Sequence, residues 1–214
     1  MTEKRGLYSI FKYGLSYRYA QNLVWGNRGY YGFYKDIADI LATNVNSTSK
    51  INIVDIGCGD GMKSLFLAQY GNYFGVDYNK EYIEYAKFHY GHLGTFLNCD
   101  ITSAEIKNCI DYSQIDVVCL FGLLHHLSDN EATSFLKKTT DLLPLGTIIL
   151  TLDPVILEKK PINNYIARKD RGPFARSIDG YKSLFPNNIE IIKTILKQYI
   201  RIPSISLVMA GKRV

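Results

Sequence analysis

The stretch "IVDIGCGDG", Ile53 to Gly61, decides the fold of this chain, because three glycines stand within five positions directly after an apolar run. Glycine weakens strands and helices, so its repetition here implies a backbone that bends sharply or is approached closely. The next segment, "KSLFLAQY", is typical of a short helix. A strand, a glycine turn and a helix N-terminus together predict a binding loop that offers main-chain N–H groups. A purely structural turn is the alternative.

The pattern around this loop alternates between strands and helices. Strands are predicted at 51–57, 73–77, 95–100, 115–122 and 146–153, and helices at 63–70, 80–90 and 128–143, with a weak helix at 103–109. Such alternation predicts a parallel sheet covered by helices, and the near-continuous apolar strands agree because each is buried on both faces. Asn79 is predicted to cap the helix at 80–90, and Ser128 and Glu131 have the spacing of a capping box. In the helical N-terminal region Phe33, Ile37 and Ile40 are predicted to share one buried face.

The chain of 214 residues is expected to form one domain, 1–214. Its parts are predicted as an N-terminal helical cap or lid, a cofactor-binding core, a substrate-side insertion and a terminal β-hairpin, at 1–45, 50–153, 154–187 and 188–214. The last strand should run antiparallel to its neighbours. The expected fold class is therefore α/β: a Rossmann-like, doubly wound, seven-stranded and mostly parallel sheet with helices on both faces.

The composition is that of an ordinary globular protein, with 47% hydrophobic and 21% charged residues. No targeting signal or membrane span is expected, since no long apolar run occurs. The four cysteines, Cys58, Cys99, Cys109 and Cys119, lack C-x-x-C spacing. We therefore expect reduced, buried thiols in a cytoplasmic protein, with neither a disulfide nor a metal site.

Basic residues are concentrated towards the C-terminus. From Val155 onward the chain has 12 Lys or Arg and 4 Asp or Glu. Arginine forks bind carboxylate or phosphate at two points, so Arg168, Arg171 and Arg176 are predicted to bind substrate, together with Asp153. Internal ion pairs and a solvated basic face are the open alternatives.

The glycine spacing and an acid on the second strand indicate the ligand. The G-x-G-x-G spacing differs from the G-x-G-x-x-G of nicotinamide and flavin folds, which disfavours an oxidoreductase. Asp77, at the end of the second predicted strand, lies 22 residues after Asp55. A carboxylate there can accept hydrogen bonds from two ribose hydroxyls.

In these features the sequence resembles the class I S-adenosylmethionine-dependent methyltransferases of the small-molecule type. "DIGCGDG" resembles their first motif, "GVDYN" the second and "NCD" the third, while "FGLLHHLSD" and "LLPLGTIILTLD" resemble the region that follows. The resemblance covers about 50–153 and implies S-adenosylmethionine as cofactor. It assigns as cofactor-binding residues Asp55, Gly57, Cys58, Gly59, Asp60, Gly61, Asp77, Tyr78, Asp100, Ile101, Phe121 and Gly122.

A looser resemblance extends beyond this region to one bacterial branch of the superfamily. It is carried by "YSIFKYGL", "DRGPFARSIDGY" and "YIRIPSISLVM". That branch implies no particular substrate, so this likeness bears on the fold more than on the reaction.

Two histidines are the candidates for catalysis. Methyl transfer from a sulfonium needs alignment and desolvation, and a base only where the nucleophile must lose a proton. His125 and His126 follow the fourth predicted strand, and one of them is a candidate base. A structural role is the alternative for both. Tyr13 and Tyr17 are predicted to contact substrate from the lid, with core packing as their alternative.

The first hypothesis for function is methyl transfer to a small molecule or a glycan or natural-product precursor, at oxygen, with an anionic acceptor as one option. Nucleic acid is not an expected partner, because the chain has "FGLLHH" where methylases of base nitrogens have an N/D-P-P-Y/F motif. RNA or other nucleic-acid methylation and a non-catalytic partner subunit remain the alternatives. Acceptor identity and oligomeric state are left open.

Overall fold

A computed structural model describes residues 15–45, 50–100 and 109–214, with the backbone alone for 15–22. Seven strands form one sheet in the order β3-β2-β1-β4-β5-β7-β6. The strands are β1 (Ile51–Ile56), β2 (Gly71–Asp77), β3 (Gly94–Asn98), β4 (Val117–Phe121), β5 (Ile148–Pro154), β6 (Ile189–Lys197) and β7 (Ser206–Arg213).

The strand directions confirm the predicted fold class. Strands β1 to β5 pair in parallel, and β7 lies antiparallel between β5 and β6. The strand order reverses at β1, which has β2 on one side and β4 on the other. Ligands of open α/β sheets bind beyond the carboxyl ends of the strands at such a reversal. The glycine loop leaves β1 at this point.

Six helices cover the sheet in the described part of the chain. They are α1 (Leu15–Asn44), α2 (Ser64–Leu67), α3 (Lys80–Tyr90), α4 (Asp129–Thr140), α5 (Pro161–Lys169) and α6 (Ile178–Lys182). Asn79 caps α3 by accepting from the Glu81 and Tyr82 N–H groups, as predicted. Ser128 and Glu131 form the predicted capping box of α4. None of the helices in the described residues is long and apolar enough to cross a membrane.

Apolar side chains are buried on both faces of the sheet. On one face Phe33 and Ile37 of α1 join Ile53 and Cys119 in a single cluster, while Val118 and Leu120 belong to the cluster of the other face. Phe33 and Ile37 are at most 2% exposed, which confirms the predicted buried face of α1. Burial of this stripe fixes α1 against the sheet.

The prediction that all four cysteines are reduced is wrong for two of them. Cys99 and Cys109 form a disulfide, whereas Cys58 and Cys119 are free and buried, as expected. The spacing of ten residues between these two cysteines did not indicate that they lie close enough to form a disulfide. Most of the weak helix predicted at 103–109 lies outside the described residues.

Candidate active site

The glycine loop has the backbone that the sequence predicts. Gly57, Gly59 and Gly61 have φ values of +78°, +58° and +78°, which L side chains rarely adopt. A Cβ added to Gly61 would lie 2.7 Å from the Phe96 ring and 2.8 Å from Ala86, but one added to Gly59 would meet nothing within 4 Å. Gly61 therefore serves close packing, whereas Gly59 leaves its main chain open to an approaching ligand.

Alanine substitutions should separate these two roles. We expect Gly61→Ala to lower the free energy of unfolding by about 2–5 kcal/mol, because a left-handed backbone and an overpacked contact both oppose it. Gly59→Ala, which has space for its methyl group, should lower the free energy of unfolding by about 1–2 kcal/mol. Urea denaturation of both variants measures the difference, and equal losses would contradict this division of roles.

A cavity of about 320 Å³ lies at the carboxyl ends of β1, β2, β4 and β5. It brings together most of the residues that the sequence analysis selected. These are Gly57, Cys58, Gly59, Asp60, Asp77, Tyr78, Phe121, Gly122, His125, His126, Asp153 and Arg171. Residues from α1, the insertion and the terminal hairpin complete the lining, among them Trp25, Asp170 and Ile200.

Asp77 ties the glycine loop to the end of β2. One of its carboxylate oxygens accepts from the Gly59 N–H at 2.9 Å, and the other accepts from the Asn79 N–H at 2.8 Å. Burial raises the pKa of Asp77, and these hydrogen bonds oppose the shift. Each carboxylate oxygen can accept a second hydrogen bond, so the side chain keeps capacity for a ligand.

Two predicted cofactor-binding carboxylates lie away from the cavity. Asp55 is fully buried beneath the loop, where it accepts a hydrogen bond from the Tyr73 hydroxyl at 2.9 Å. Asp100 is exposed and is outside the cavity lining. Asp55 points inward from β1, and the predicted contacts of Asp55 and Asp100 with a cofactor stay predictions. Ile101 lies outside the described residues.

Sequence reasoning did not select Lys63, although it lines the cavity. Its Nζ lies 6.0 Å from the centre of the Phe121 ring. Burial lowers its pKa, but Asp55 and Asp60 outweigh burial and hold the pKa above its usual value. The only signal in the sequence was its position, two residues after the last glycine of the loop.

His125 forms a buried pair with Asp153. The turn after β4 carries the histidine and the end of β5 carries the carboxylate, and both residues are less than 5% exposed. His125 Nδ1 lies 2.8 Å from Asp153 Oδ1, which also accepts from the His125 backbone N–H at 3.1 Å. His125 Nε2 lies 3.6 Å from Asp170 Oδ2. Burial lowers the pKa of His125, but Asp153 and Asp170 outweigh it, so the pKa is raised.

His126 has a different environment. Its ring lies 4.3 Å from that of His125, measured between centroids, and lines the same cavity. Burial and the neighbouring His125 lower its pKa to about 3, so the ring is neutral at physiological pH. Of the two histidines, His125 alone has a carboxylate at hydrogen-bonding distance in the described structure.

Arg176 has internal partners, as in the alternative that the sequence left open, and its predicted contact with a substrate stays a prediction. Its side chain is 8% exposed, and Nε donates to Asp129 at 2.8 Å. One terminal nitrogen donates to the Leu124 and Phe174 carbonyl oxygens at 2.9 and 3.0 Å, and the other donates to the Leu127 carbonyl oxygen at 2.6 Å. The guanidinium therefore braces both ends of the turn that carries His125.

The other residues that were predicted to contact substrate lie in different parts of the structure. Arg168 is exposed on α5 and lies outside the cavity lining, and its predicted contact with a substrate stays a prediction. Arg171 lines the cavity. Tyr13 lies outside the described residues, and only the backbone of Tyr17 is described.

Removing the Arg176 side chain should destabilise the protein. Arg176→Ala leaves three carbonyl groups and one carboxylate without their charged donor, at an expected cost of about 2–4 kcal/mol in the free energy of unfolding. Arg168→Ala is the matched control and should change it by about 0.5 kcal/mol or less. Chemical denaturation of both variants tests this, and a loss for Arg176→Ala as small as the control's would contradict the bracing role.

Comparison with known proteins identifies similar sequences and folds. Residues 53–146 match a family model described as a methyltransferase domain. The chain is 31% identical over 117 residues to a ubiquinone biosynthesis O-methyltransferase of Colwellia psychrerythraea, covering 52% of this chain and 48% of that protein. The chain spans half or less of the length of the curated relatives it matches.

Solved structures with the same fold have low sequence identity. Magnesium protoporphyrin IX methyltransferase from Synechocystis PCC 6803, crystallised with SAM, gives a TM-score of 0.62 at 17% identity, covering 87% of this chain and 80% of that one. The N-methyltransferase NodS from Bradyrhizobium japonicum WM9 gives 0.67 at 11% identity, covering 88% and 98%. At this identity the likeness establishes the fold alone.

Proposed function

Because the chain carries a methyltransferase domain and has the fold of the class I S-adenosylmethionine-dependent methyltransferases, we propose that it transfers a methyl group from S-adenosylmethionine to an oxygen atom of a small-molecule acceptor. One observation carries the proposal. The glycine loop and the buried His125–Asp153 pair line the same cavity, which supports the binding of a cofactor and an acceptor hydroxyl at one place.

The residues of the loop fit the cofactor. The open space at Gly59 lets a ligand approach the main chain, and the Asp77 carboxylate has the acceptor capacity for ribose hydroxyls. Tyr78 and Phe121 offer ring surfaces for an adenine or an apolar segment. When bound, S-adenosylmethionine supplies the electrophilic methyl group. The protein then has to align an acceptor and exclude water.

His125 is the proposed general base for an acceptor hydroxyl. Asp153 takes the Nδ1 side of the ring, so Nε2, which lies 3.6 Å from Asp170 Oδ2, is the nitrogen that would receive a proton, and both carboxylates would stabilise the imidazolium that forms. A neutral amine acceptor attacks with its own lone pair of electrons. It therefore does not depend on the His125–Asp153 pair as a hydroxyl acceptor does. The His125–Asp153 pair therefore favours oxygen, although names of both O- and N-methyltransferases occur among the similar proteins.

A methyl-transfer assay tests the choice of atom. Purified protein would be incubated with methyl-labelled S-adenosylmethionine and a panel of phenols, hydroxy acids and primary amines, and labelled products would be separated. Label should enter hydroxyl-bearing acceptors and be lost in Asp77→Ala. Label in amines alone would overturn the oxygen assignment while leaving the methyltransferase activity standing.

A further inference from the structure

A second cavity adjoins the first. It has a volume of about 600 Å³ and lies between α1 and the segment that follows β6. Trp25 and Ile200 line both cavities, so these two side chains form the boundary between the two spaces. A molecule bound beside His125 would have to extend past this boundary to reach the second cavity.

Two glycines of α1 allow the close approach that forms this cavity. Gly26 has φ 60° and ψ 165°, a conformation that essentially glycine alone adopts, and it kinks the helix. A Cβ there would lie 2.6 Å from Arg201 Nε, and the Arg201 N–H donates to the Val24 carbonyl at 2.7 Å. A Cβ on Gly29 would collide with the Tyr199 carbonyl oxygen. The kink therefore places the Arg201 guanidinium directly against α1.

The charge of the second cavity is positive. Arg28, Lys197 and Arg201 line it, and no Asp or Glu of the described residues does. Lys197 is paired with Asp36 at 2.8 Å. Arg28 and Arg201 have no ion pair with any described carboxylate. Guanidinium groups match carboxylate and phosphate in geometry and charge, so a cavity lined by Arg28 and Arg201 favours an anion.

We propose that this second cavity binds an anionic group, a carboxylate or a phosphate, of the same acceptor whose hydroxyl is methylated beside His125. The inference rests on the proposed function and specifies its substrate class. Trp25, which stacks with Tyr30 and Tyr199 at ring-centroid distances of 5.1 and 6.3 Å, lines both cavities and would contact that acceptor between its two ends. An acceptor with a hydroxyl at one end and an anion at the other spans both cavities.

Trp25 makes the proposal directly measurable, because it is the only tryptophan in the chain. Its fluorescence would be followed while phenyl phosphate, benzoate or phenol is added to the protein saturated with S-adenosylhomocysteine. Phenyl phosphate or benzoate should change the emission saturably, with the tighter of the two identifying the preferred anion, and phenol should not. Arg201→Gln and Arg28→Gln should each weaken that binding by about tenfold, the loss of one charge-assisted contact.

Arg168→Gln is the matched control, because it removes an exposed cation outside both cavities. Its affinity for phenyl phosphate and benzoate should equal that of the wild type. If Arg168→Gln weakens anion binding as much as the cavity variants do, the effect is general charge attraction and the proposal is overturned. Unchanged anion binding in both Arg28→Gln and Arg201→Gln would also overturn it. Arg28 is exposed, so Arg28→Gln remains informative if Arg201→Gln fails to fold. Binding of S-adenosylhomocysteine in the same samples tests the proposed function separately.

Discussion

Replacing His125 by alanine is expected to lower kcat for methylation of a hydroxyl acceptor by about 100- to 10,000-fold, the usual contribution of a general base. The expectation follows from the buried pairing of Nδ1 with Asp153, which orients Nε2 and stabilises the protonated ring. Steady-state kinetics with methyl-labelled cofactor measures the loss. The affinity for S-adenosylhomocysteine should change little, because the glycine loop is formed by other residues.

The pH dependence gives a second readout of the same role. A base acts when deprotonated, and the pKa of His125 is raised, since its carboxylate neighbours outweigh burial. The rate should therefore rise with pH through a value above the ordinary histidine pKa of about 6.5, and this limb should vanish in His125→Ala. His92→Ala, at an exposed histidine outside the cavity, should leave the rate and its pH profile as in the wild type. Full activity of His125→Ala would refute the assignment.

Replacing Asp77 by alanine should weaken the binding of S-adenosylmethionine by about 100-fold or more. The substitution removes the proposed acceptor of the ribose hydroxyls, and it also frees the Gly59 N–H that the carboxylate holds at 2.9 Å. Hydrogen bonds to charged groups contribute about 1.5–3 kcal/mol each, so losing two accounts for this magnitude. Titration calorimetry measures the dissociation constant of the variant.

The control for Asp77 is Glu84→Ala, which removes an exposed carboxylate that pairs with Lys80 on α3. The affinity of Glu84→Ala for S-adenosylmethionine should match that of the wild type. A thermal melt establishes whether Asp77→Ala remains folded at the titration temperature. A folded Asp77→Ala protein that binds within about threefold of the wild type would contradict the role of this carboxylate.

Local sequence signals predicted the sheet and the loop well. The three glycines after β1 require positive φ, and each has it. Strand alternation and apolar runs give the parallel core, and Asn79 and Ser128 cap the helices at which they were expected. Such features depend on residues near each other in sequence, where propensity and hydrogen bonding are short-range.

Features that depend on distant segments could not be predicted in the same way. Arg176 carries the same charge whether it meets a substrate or the Leu127 carbonyl, and only the packing of the insertion against the turn after β4 decides between them. Trp25 lines the cavity next to the kink of α1 at Gly26, and the sequence does not show which of the three glycines in this helix interrupts it. The Cys99–Cys109 disulfide likewise depends on the return of the chain to β3.

Calorimetric titration of the wild-type protein with S-adenosylmethionine, and then with S-adenosylhomocysteine, tests the central claim most directly. The account predicts one binding site per chain with a dissociation constant in the micromolar range for both compounds. Protein that is folded by its thermal melt and yet binds neither compound at millimolar concentration would contradict the account. It would favour a non-catalytic subunit whose site is completed by another protein.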